Sequence, residues 1–513
     1  MQDNWKATRR LSLDYGLRFS YAQWYRPMRI ETHTSSTFYL PNYKPADAPR
    51  LFQPAIINGV RVAYDPVTGQ TLSQGYITAY VPGTGNIDNG IVVHGDAGVP
   101  PGFRDQAPIL VMPRFGFSWD PFGDGKTAIR GGGGVFYQTT GDSLVEGIAW
   151  IRNPPYMRLT NMYYGNVSLL RGGGTPYPFP QAVYGFERAN QMPVTYNYSL
   201  GIQRDLGHST MADVKYVGSV SRHMVNNRNL NTLPFGARFN AIDPTTGLAL
   251  ADNLIRPYPG YDNIIQYERR GSSNYNGLQA QLNRRFTRAL QFGMAYTWSK
   301  SLDYGSTDRA AIDNYRPLKL SYAPSDFDQK HVMVLNWMYN LPSVNSNPML
   351  RKLTSGWEIT GIGSFASGSP QAVTYTTTPV SDWLGGGDTG RVNLTCNPNL
   401  ARGEKTQARW FNTSCIAMPA KGDMGNASRD VFKRPGRNNW DLTLFRSFNL
   451  GAEGRTLSFR MELYNAFNST QFTTIDGAAR FNTTTGAQTN PTFGQVLGAA
   501  APRQMQFSLR LRF

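Results

Sequence analysis

The strongest constraint on the fold of this chain is an alternation of apolar and polar residues that recurs along its length. In the first such segment, LSLDYGLRFSY, apolar residues occupy every second position from Leu11 to Tyr21. The last segment, MQFSLRLRF, alternates from Met505 up to the terminal Phe513. A period of two is typical of a β-strand with one apolar and one polar face. Twelve segments of membrane-spanning length show it: 11–21, 111–119, 127–137, 194–206, 212–220, 276–286, 290–299, 331–341, 357–367, 440–448, 457–467 and 505–513.

The connections between these segments alternate between two lengths. One set is short, and the other consists of residues 22–110, 138–193, 221–275, 300–330, 368–439 and 468–502. Long connections without regular structure of their own argue against an ordinary compact domain. Short turns on one side and long loops on the other are the arrangement of outer-membrane barrels. The sequence therefore predicts an all-β fold, an antiparallel transmembrane β-barrel whose long loops are extracellular.

Arginines on the apolar faces agree with this orientation. Arg204, Arg284 and Arg446 each lie just before a short turn. In mid-bilayer each would cost about 2–4 kcal/mol, whereas at the periplasmic interface the guanidinium can extend to the lipid headgroups. On a polar face, Arg460 and Glu462 are two residues apart, so we expect them to pair inside the barrel.

Composition narrows the alternatives. Aromatic residues make up 13% of the chain and charged residues 17%, and no stretch approaches the roughly 18 consecutive apolar residues of a transmembrane helix. The net charge is +17, but no basic run or stripe favours nucleic acid as a partner. Anionic lipid headgroups fit the charge equally well. A soluble β-sandwich would show the same periodicity, so periodicity alone leaves that fold open.

Several segments resemble a known family. They include QDNWKATRRLSLDYGLRFSY, PRFGFSWDPFGDGKTAIRGGGGVFY, YNYSLGIQRDL, SSNYNGLQAQLNRRF, NNWDLTLFRSF, FRMELYNAFNSTQF and RQMQFSLRLRF. In this order they are similar to the C-terminal part of TonB-dependent outer-membrane receptors, most closely the Oar-like subgroup. The family barrel has 22 strands around a plugged lumen. The resemblance implies that residues 1–513 are the C-terminal part of such a barrel, without a plug domain, and that a signal peptide is missing from the sequence.

The resemblance also implies partners. Phe513 would be the terminal aromatic residue of the signal that the barrel-assembly machinery reads. Outer-membrane lipid and lipopolysaccharide would surround the barrel, in a Gram-negative type of bacterium. The TonB system would act only through the missing plug. The imported ligand, a small molecule, glycan or peptide, is not identified, and no cofactor, catalytic residue or metal ligand is expected.

The two cysteines, Cys396 and Cys415, are 19 residues apart in one long loop. On the barrel interpretation this loop faces an oxidising exterior, where disulfides persist. We therefore expect a bond between them rather than two free thiols.

Two motifs suggest other chemistry. RGGGG, residues 130–134, lacks the Lys-Ser/Thr of a phosphate loop and lies in a strand pattern, so a close approach of another backbone, such as a plug, is the better interpretation. DFDQKH brings Asp326, Asp328 and His331 together like a small metal cluster, but a structural role is favoured because no second histidine is near. The loop aromatics could stack on a ligand or pack the loops together: Trp24, Tyr25, Tyr163, Tyr164, Tyr258, Tyr261 and Trp383.

Three functions fit these observations. The first is part of a receptor that imports a scarce ligand across the outer membrane, with specificity in the loops and the lumen. The second is a passive structural or adhesive barrel. The third is a soluble secreted protein that binds carbohydrate. No Ser–His–Asp order, paired carboxylates or nucleotide fingerprint favours an enzyme.

Overall fold

The backbone forms one large, mostly antiparallel sheet with elaborated loops on one side. The computed structural model describes residues 2–21, 35–138, 149, 151–158, 177–189, 191–287, 289–307, 309–342, 351, 354–451 and 454–513. Thirteen successive strands run from one edge to the other: β1 Gln2–Lys6, β2 Leu11–Ser20, β3 Leu110–Trp119, β4 Thr127–Tyr137, β5 Val194–Gly207, β6 Thr210–Asn229, β7 Ile264–Thr287, β8 Leu290–Asp303, β9 His331–Asn340, β10 Trp357–Ala366, β11 Arg437–Asn449, β12 Thr456–Tyr464 and β13 Gln504–Arg512.

Each of these strands pairs antiparallel with the next, and the register keeps the two faces of the sheet distinct. On one face, Asp213 of β6 lies between Gln203 of β5 and Gln281 of β7. One residue further along, Val214 lies between Ile202 and Ala280 on the other face. The predicted division into a polar and an apolar face is therefore confirmed across the sheet, since a slip of one residue would exchange the faces.

Tight turns join several of the strand pairs. Between β5 and β6, His208 and Ser209 have φ angles of 50° and 59°. Positive φ at both central residues gives a hairpin turn whose twist matches that of the strands. The strand pairs predicted on either side of the short turns are all present, including β9–β10 and β11–β12.

The sequence pattern underestimates both the number and the length of the strands. β1 is an additional strand that pairs with β2, and its sequence, QDNWK, has no apolar alternation that would reveal it. β6 continues to Asn229 and β7 already begins at Ile264, so both strands extend beyond their predicted ends. The register between them shifts between Ser221 and Asn226. A bulge adds an unpaired residue and breaks the period of two, so the predicted strands stop where the bulge begins.

Aromatic side chains cover glycines on the apolar face. A Cβ atom at Gly361 would lie 2.1 Å from the Trp337 ring, and one at Gly363 would lie 3.0 Å from the Trp440 ring. The Trp440 ring also packs edge to face against Trp337 and Phe365, with ring centroids 5.8 and 5.1 Å apart. Because these glycines have no side chains, the large rings can lie against the sheet and cover the backbone with apolar surface.

The prediction for the apolar-face arginines needs correction at Arg446. Its side chain is buried rather than extended to solvent. The guanidinium carbon lies 4.1 Å from the centroid of Phe448 and 5.4 Å from that of Trp357. Aromatic faces attract a cation, and this attraction holds Arg446 against the sheet. Arg204 is exposed and lies 5.8 Å from the centroid of Phe122 in a short turn, consistent with an interfacial position.

The long loops contain short elements of their own. Within the described residues no helix is long and apolar enough to span a membrane. Among the fully described elements, the α-helices are Ala237–Asn240 and Leu318–Ser321, and the 3-10 helices are Leu40–Asn42, Pro45–Asp47, Gln74–Tyr76, Pro101–Phe103, Asp252–Leu254, Arg402–Glu404 and Thr413–Cys415. The loop strands are Ser36–Phe38, Gln53–Ile57, Val60–Tyr64, Thr71–Ser73, Ile91–Val93, Val183–Phe186, Ala323–Pro324, Pro370–Gln371, Thr374–Thr378, Asn393–Leu394, Ile416–Ala417, Phe432–Lys433, Phe472–Ile475, Ala478–Asn482 and Val496–Ala499.

Two neighbouring substitutions test the assignment of the faces. Leu444, in the middle of β11, lies between Ile359 and Met461 on the apolar face. Thr443 lies between Thr360 and Glu462 on the polar face. We predict that Leu444→Arg lowers folding stability in the membrane by about 2–4 kcal/mol, and that Thr443→Arg is tolerated. The measurement is the folded fraction in the outer membrane, from heat-dependent electrophoretic mobility; equal loss in both variants would contradict the register.

Candidate functional site: the loop cap and the polar face

The six long loops all leave the same side of the sheet. We call them the first to sixth loops: residues 21–109, 138–193, 230–263, 304–330, 367–436 and 465–503. Their described residues pack on one another through several apolar clusters. We refer to these described parts together as the loop cap. The described parts of the long loops therefore contain more packed structure than their sequences predict.

The fifth and sixth loops share one core. Thr374–Thr378 of the fifth loop pairs in parallel with Ala478–Asn482 of the sixth. The Phe411 ring is stacked on Phe432 at 4.3 Å and lies edge to face with Phe493 of the sixth loop at 5.3 Å. All three rings are buried. Two segments far apart in sequence therefore form a single folded unit above the sheet.

Cys396 and Cys415 lie at one end of this unit. Their sulfur atoms are bonded in the structure, and their Cα atoms are 5.0 Å apart. Each cysteine follows or precedes a short strand, and these strands, Asn393–Leu394 and Ile416–Ala417, pair with each other. Cys415 is fully buried. This strand pairing brings the two cysteines together. The strands and the disulfide bond all lie within the fifth loop.

Tyrosine hydroxyls join the first loop to the third. Tyr43, Tyr80 and Tyr261 donate hydrogen bonds across the two loops, at 2.9 Å to Pro259 O, 2.6 Å to Gly260 O and 2.8 Å to Asn89 O respectively. Burial raises the pKa of Tyr43 to about 12 and raises the pKa values of the other two as well. The hydroxyls therefore stay protonated and remain donors at any physiological pH.

Arginines make the remaining links between loops. Arg61 of the first loop contacts Asp243 of the third at 2.7 Å. Arg238 of the third loop contacts Asp382 of the fifth at 3.0 Å. Arg429 of the fifth loop is ion-paired with Asp303 at the end of β8. Most of these carboxylates and arginines are partly buried, where ion pairs are screened less than on an open surface. The cap is therefore tied together by charge as well as by apolar packing.

The fourth loop is anchored by a buried arginine. The Arg316 side chain is 1% exposed and donates to Asp313 and to Thr389 O of the fifth loop. Burial, together with the nearby Arg391 guanidinium, lowers the pKa of Arg316 to about 10. Arg316 is still protonated at neutral pH, so it keeps the positive charge with which it binds Asp313 and Thr389 O.

The polar face of the sheet lies on the side opposite the apolar face and carries charged side chains. A groove in this face is lined by Arg130, Gln203, Asp213 and Lys215. It exists because glycines at the adjoining positions, including Gly201, have no side chains to fill it. Asp213 Oδ1 is buried and accepts no hydrogen bond from the described residues. Such an atom is suited to accept a bond from a group that enters the groove.

Arg460 and Glu462 also lie on this face, with Arg460 Nη1 and Glu462 Oε1 3.4 Å apart. The predicted pairing of these two residues is confirmed. Alternating cations and carboxylates give a surface that can bind polar groups of either charge. Sequence reasoning identified this pair from its spacing but missed the groove, because the groove depends on which residues lie opposite each other across β4, β5 and β6.

Two of the motifs noted in the sequence have structural roles. Cβ atoms at Gly132 and Gly133 would lie 2.7 Å from Phe115 O and 3.0 Å from Asn197 O. A close backbone approach is therefore confirmed, but the backbones are those of β3 and β5. In DFDQKH, Asp328 is buried and accepts from Ser301 N at 2.7 Å. No group of three potential ligands within the described ranges is placed to hold a metal ion.

The described loop aromatics make contacts inside the loop cap. Tyr261 is buried in the core between the first and third loops, and Tyr258 packs edge to face on Tyr43 at 5.3 Å. Trp383 donates from Nε1 to Pro419 O at 2.8 Å, a bond within the fifth loop. Of the seven aromatics named from the sequence, the other four lie outside the described residues: Trp24, Tyr25, Tyr163 and Tyr164.

A family model for the outer membrane beta barrel domain matches residues 1–506. The chain belongs to this family of outer-membrane β-barrels. It is therefore an all-β protein of the Gram-negative outer membrane, as the sequence predicts, and the soluble alternative is wrong. No curated protein matches the chain.

Solved structures of outer-membrane receptors and transporters are similar to it. They include the outer membrane transporter YddB from Escherichia coli (TM-score 0.41, 11% identity, covering 79% of this chain and 41% of that one). The siderophore receptor PiuA from Acinetobacter baumannii gives 0.38 and 9%, over 99% and 42% of the two chains. The ferripyoverdine receptor from Pseudomonas aeruginosa gives 0.36 and 10%, over 99% and 37%. This chain thus spans about two fifths of the length of these structures.

The cysteines give a prediction that needs no assumption about the ligand. We predict that the denatured, unreduced protein contains no thiol that reacts with a labelling reagent. Closing a loop of this size stabilises the folded state by around 3 kcal/mol, so Cys415→Ser should also speed proteolysis within residues 390–430. Ser414→Ala, at an exposed neighbouring residue, is the control. Two reactive thiols per chain would rule the bond out.

The ion pair of Asp65 gives a prediction about pH. A hydrogen bond from Arg50, at 2.8 Å, lowers the pKa of Asp65 to about 2, against about 3.9 in an unfolded chain. Because the folded-state pKa is the lower one, the stabilisation is complete above pH 4 and is lost as the pH falls towards 2. We expect Asp65→Asn to speed hydrogen exchange in residues 50–81 at pH 7, and the difference from wild type to shrink between pH 4 and 2.

The control for this measurement is Asp105→Asn. Asp105 pairs with Arg188 at 2.8 Å, but both side chains are about half exposed. Exposed pairs contribute little, so exchange should hardly change. Equal effects at Asp65 and Asp105 would show that burial of the pair is not what stabilises the first loop.

Proposed function

We propose that this chain is the C-terminal part of a TonB-dependent receptor barrel that takes part in ligand uptake across the outer membrane. The observation that carries the proposal is a charged, grooved polar face on an outer-membrane sheet with a fixed loop cap at one end. A sheet that served only as a membrane anchor would not require charged residues and a groove on its polar face. Arg130, Asp213 and Lys215 offer donors and acceptors to a plug or to a passing ligand.

The two edges of the sheet support the view that further strands complete it. Among the described residues, β13 is exposed along its whole length and pairs only with β12, and β1 pairs only with β2. In hydrocarbon each unpaired backbone group costs several kcal/mol, so open edges are not tolerated there. The strands that cover these edges belong either to the same polypeptide or to another one.

Strand direction restricts those additional strands. With long loops outside, β2 runs outward, so β1 and β13 both run inward. β1 and β13 joined directly would be parallel, and so would two copies of the sheet joined edge to edge. An antiparallel barrel therefore requires an odd number of further strands. In a 22-strand family barrel, 13 strands leave nine, which is odd.

We further propose that the barrel-assembly machinery recognises Phe513. This residue follows β13 directly and is 94% exposed, so its ring is accessible to a partner. Energy from TonB would reach the barrel only through a plug domain. The proposal includes no enzymatic step.

A passive adhesive barrel is the second candidate. The observation that favours it is the extent of bonding within the loop cap, including the pair Arg238–Asp382. A rigid cap is suited to presenting a surface. It is equally suited to holding a ligand site, so energy coupling decides between the two functions.

Uptake assays separate these functions. We predict that residues 1–513, expressed with an added signal peptide, give no TonB-dependent accumulation of any ligand in a panel of ferric chelates, cobalamin, oligosaccharides and peptides. Strands that complete the barrel together with a plug should restore accumulation of one of them. TonB-dependent uptake by residues 1–513 alone would falsify the partial-barrel proposal, and no uptake by the completed receptor would favour the adhesive function.

A further inference from the structure

At the outer ends of β5–β8, the side chains on the apolar face of the sheet are polar or basic instead of apolar. Towards the periplasmic turns its residues are apolar, as at Ile202, Val214 and Ala280. At the outer end of the same face lie Asn274, Asn276, Lys300 and Arg222, which are polar or basic. The outer ends of β9–β11 carry an aromatic cluster instead, around Trp440. One sector of the barrel wall therefore has its own polar surface.

This sector lies at the height of the outer membrane interface. Lys300 is ten residues from Leu290, where β8 begins next to a short turn. At about 3.3 Å per residue and a tilt of about 40°, ten residues rise roughly 25 Å, the height of the apolar band of such barrels. Trp298, which is exposed, marks the edge of that band two residues earlier. The polar residues are therefore level with lipid headgroups.

Hydrogen bonds hold the amide groups in place. Tyr198 and Tyr216 both donate to Asn276 Oδ1, at 2.8 and 2.6 Å. Asn276 Nδ2 in turn donates to Asn274 Oδ1 at 2.6 Å. The oxygens of both amides thus accept hydrogen bonds. No acceptor for Asn274 Nδ2 lies among the residues that the structure describes, so this group remains available as a donor. This network turns donors rather than acceptors towards the lipid.

Two cations flank the amides. Lys300 pairs across the strands with Asn276, and its ammonium group lies 3.2 Å from Asp328, whose side chain is 4% exposed while that of Lys300 is 48% exposed. Arg222 Nη1 donates to Ser221 O at 2.9 Å and to Ser273 O at 3.4 Å, and its side chain is exposed. Both side chains are held at the surface by groups behind them. Their remaining N–H groups can bind an anion.

We propose that Arg222, Asn274 and Lys300 bind phosphate groups of lipopolysaccharide in the outer leaflet. The three residues supply two cations and an amide donor, which is the chemistry that binds phosphate. Lipopolysaccharide carries its phosphates on sugars at this height. The inference rests on the outer-membrane location and the orientation of the barrel, and it holds whether or not the protein transports a ligand.

Native mass spectrometry of the protein extracted from outer membranes tests the proposal. The probe is lipid A with two phosphates, compared with dephosphorylated lipid A and with phosphatidylglycerol. A basic residue near an anionic lipid surface changes affinity by about fivefold, so R222Q/K300Q should weaken binding of phosphorylated lipid A by about thirtyfold. R204Q/R284Q removes the same charge from the periplasmic rim and should change binding little.

The remaining outcomes are also decisive. Binding that is unchanged in R222Q/K300Q, or weakened equally in R204Q/R284Q, would overturn the site. Equal binding of phosphatidylglycerol and lipid A would overturn the assignment to lipopolysaccharide. Heat-dependent mobility reports folding. If R222Q/K300Q does not fold, R222K/K300R, which keeps both charges, must retain tight binding, and removal of the phosphates must abolish it in the unmutated protein.

Discussion

Backbone hydrogen bonding in a medium without water is the constraint on which this structure depends. Each strand in hydrocarbon must have its N–H and C=O groups paired by neighbours. The antiparallel ladder from β1 to β13 provides those bonds, and its register determines which side chains face lipid. Once Val214 faces outward, Asp213 must face the other way. The groove, the ion pair of Arg460 and Glu462 and the polar sector near Lys300 all follow from that single register.

The sheet was predictable from sequence because the same constraint acts on every residue of a spanning strand. The prediction was weakest where the constraint ends. β1 lacks alternation, and the bulge in β6 breaks the period, so neither was visible in the sequence. Arg446 was assigned to the headgroups on general grounds. Its burial depends on Phe448 and Trp357, and only the register brings Trp357 opposite it.

The loop cap could not be predicted, because its bonds join residues far apart in sequence. Tyr261 donates to Asn89, and Arg238 contacts Asp382; neither pair leaves a local pattern. The sequence suggested only that the aromatics of the loops would bind a ligand or pack together. Of the three that are described, Tyr258 and Tyr261 pack the third loop on the first, and Trp383 bonds within the fifth loop. The cysteines were an exception, since their location in one loop was itself a strong constraint on pairing.

The strands of the sheet and the loop cap are therefore constrained by different interactions, and this difference matters for function. A substitution in a strand of the sheet must be compatible with lipid contact and with the hydrogen-bonded pairing of the strands, as at Leu444. A substitution in the cap is limited by particular tyrosine and arginine contacts, and loop segments between those contacts can change without disturbing a strand. On the uptake function proposed above, ligand specificity would vary in the cap, while the groove at Arg130 and Asp213 stays fixed by the register of β4, β5 and β6. On that proposed function, a barrel built in this way would keep the groove of its polar face constant while its outer surface changes.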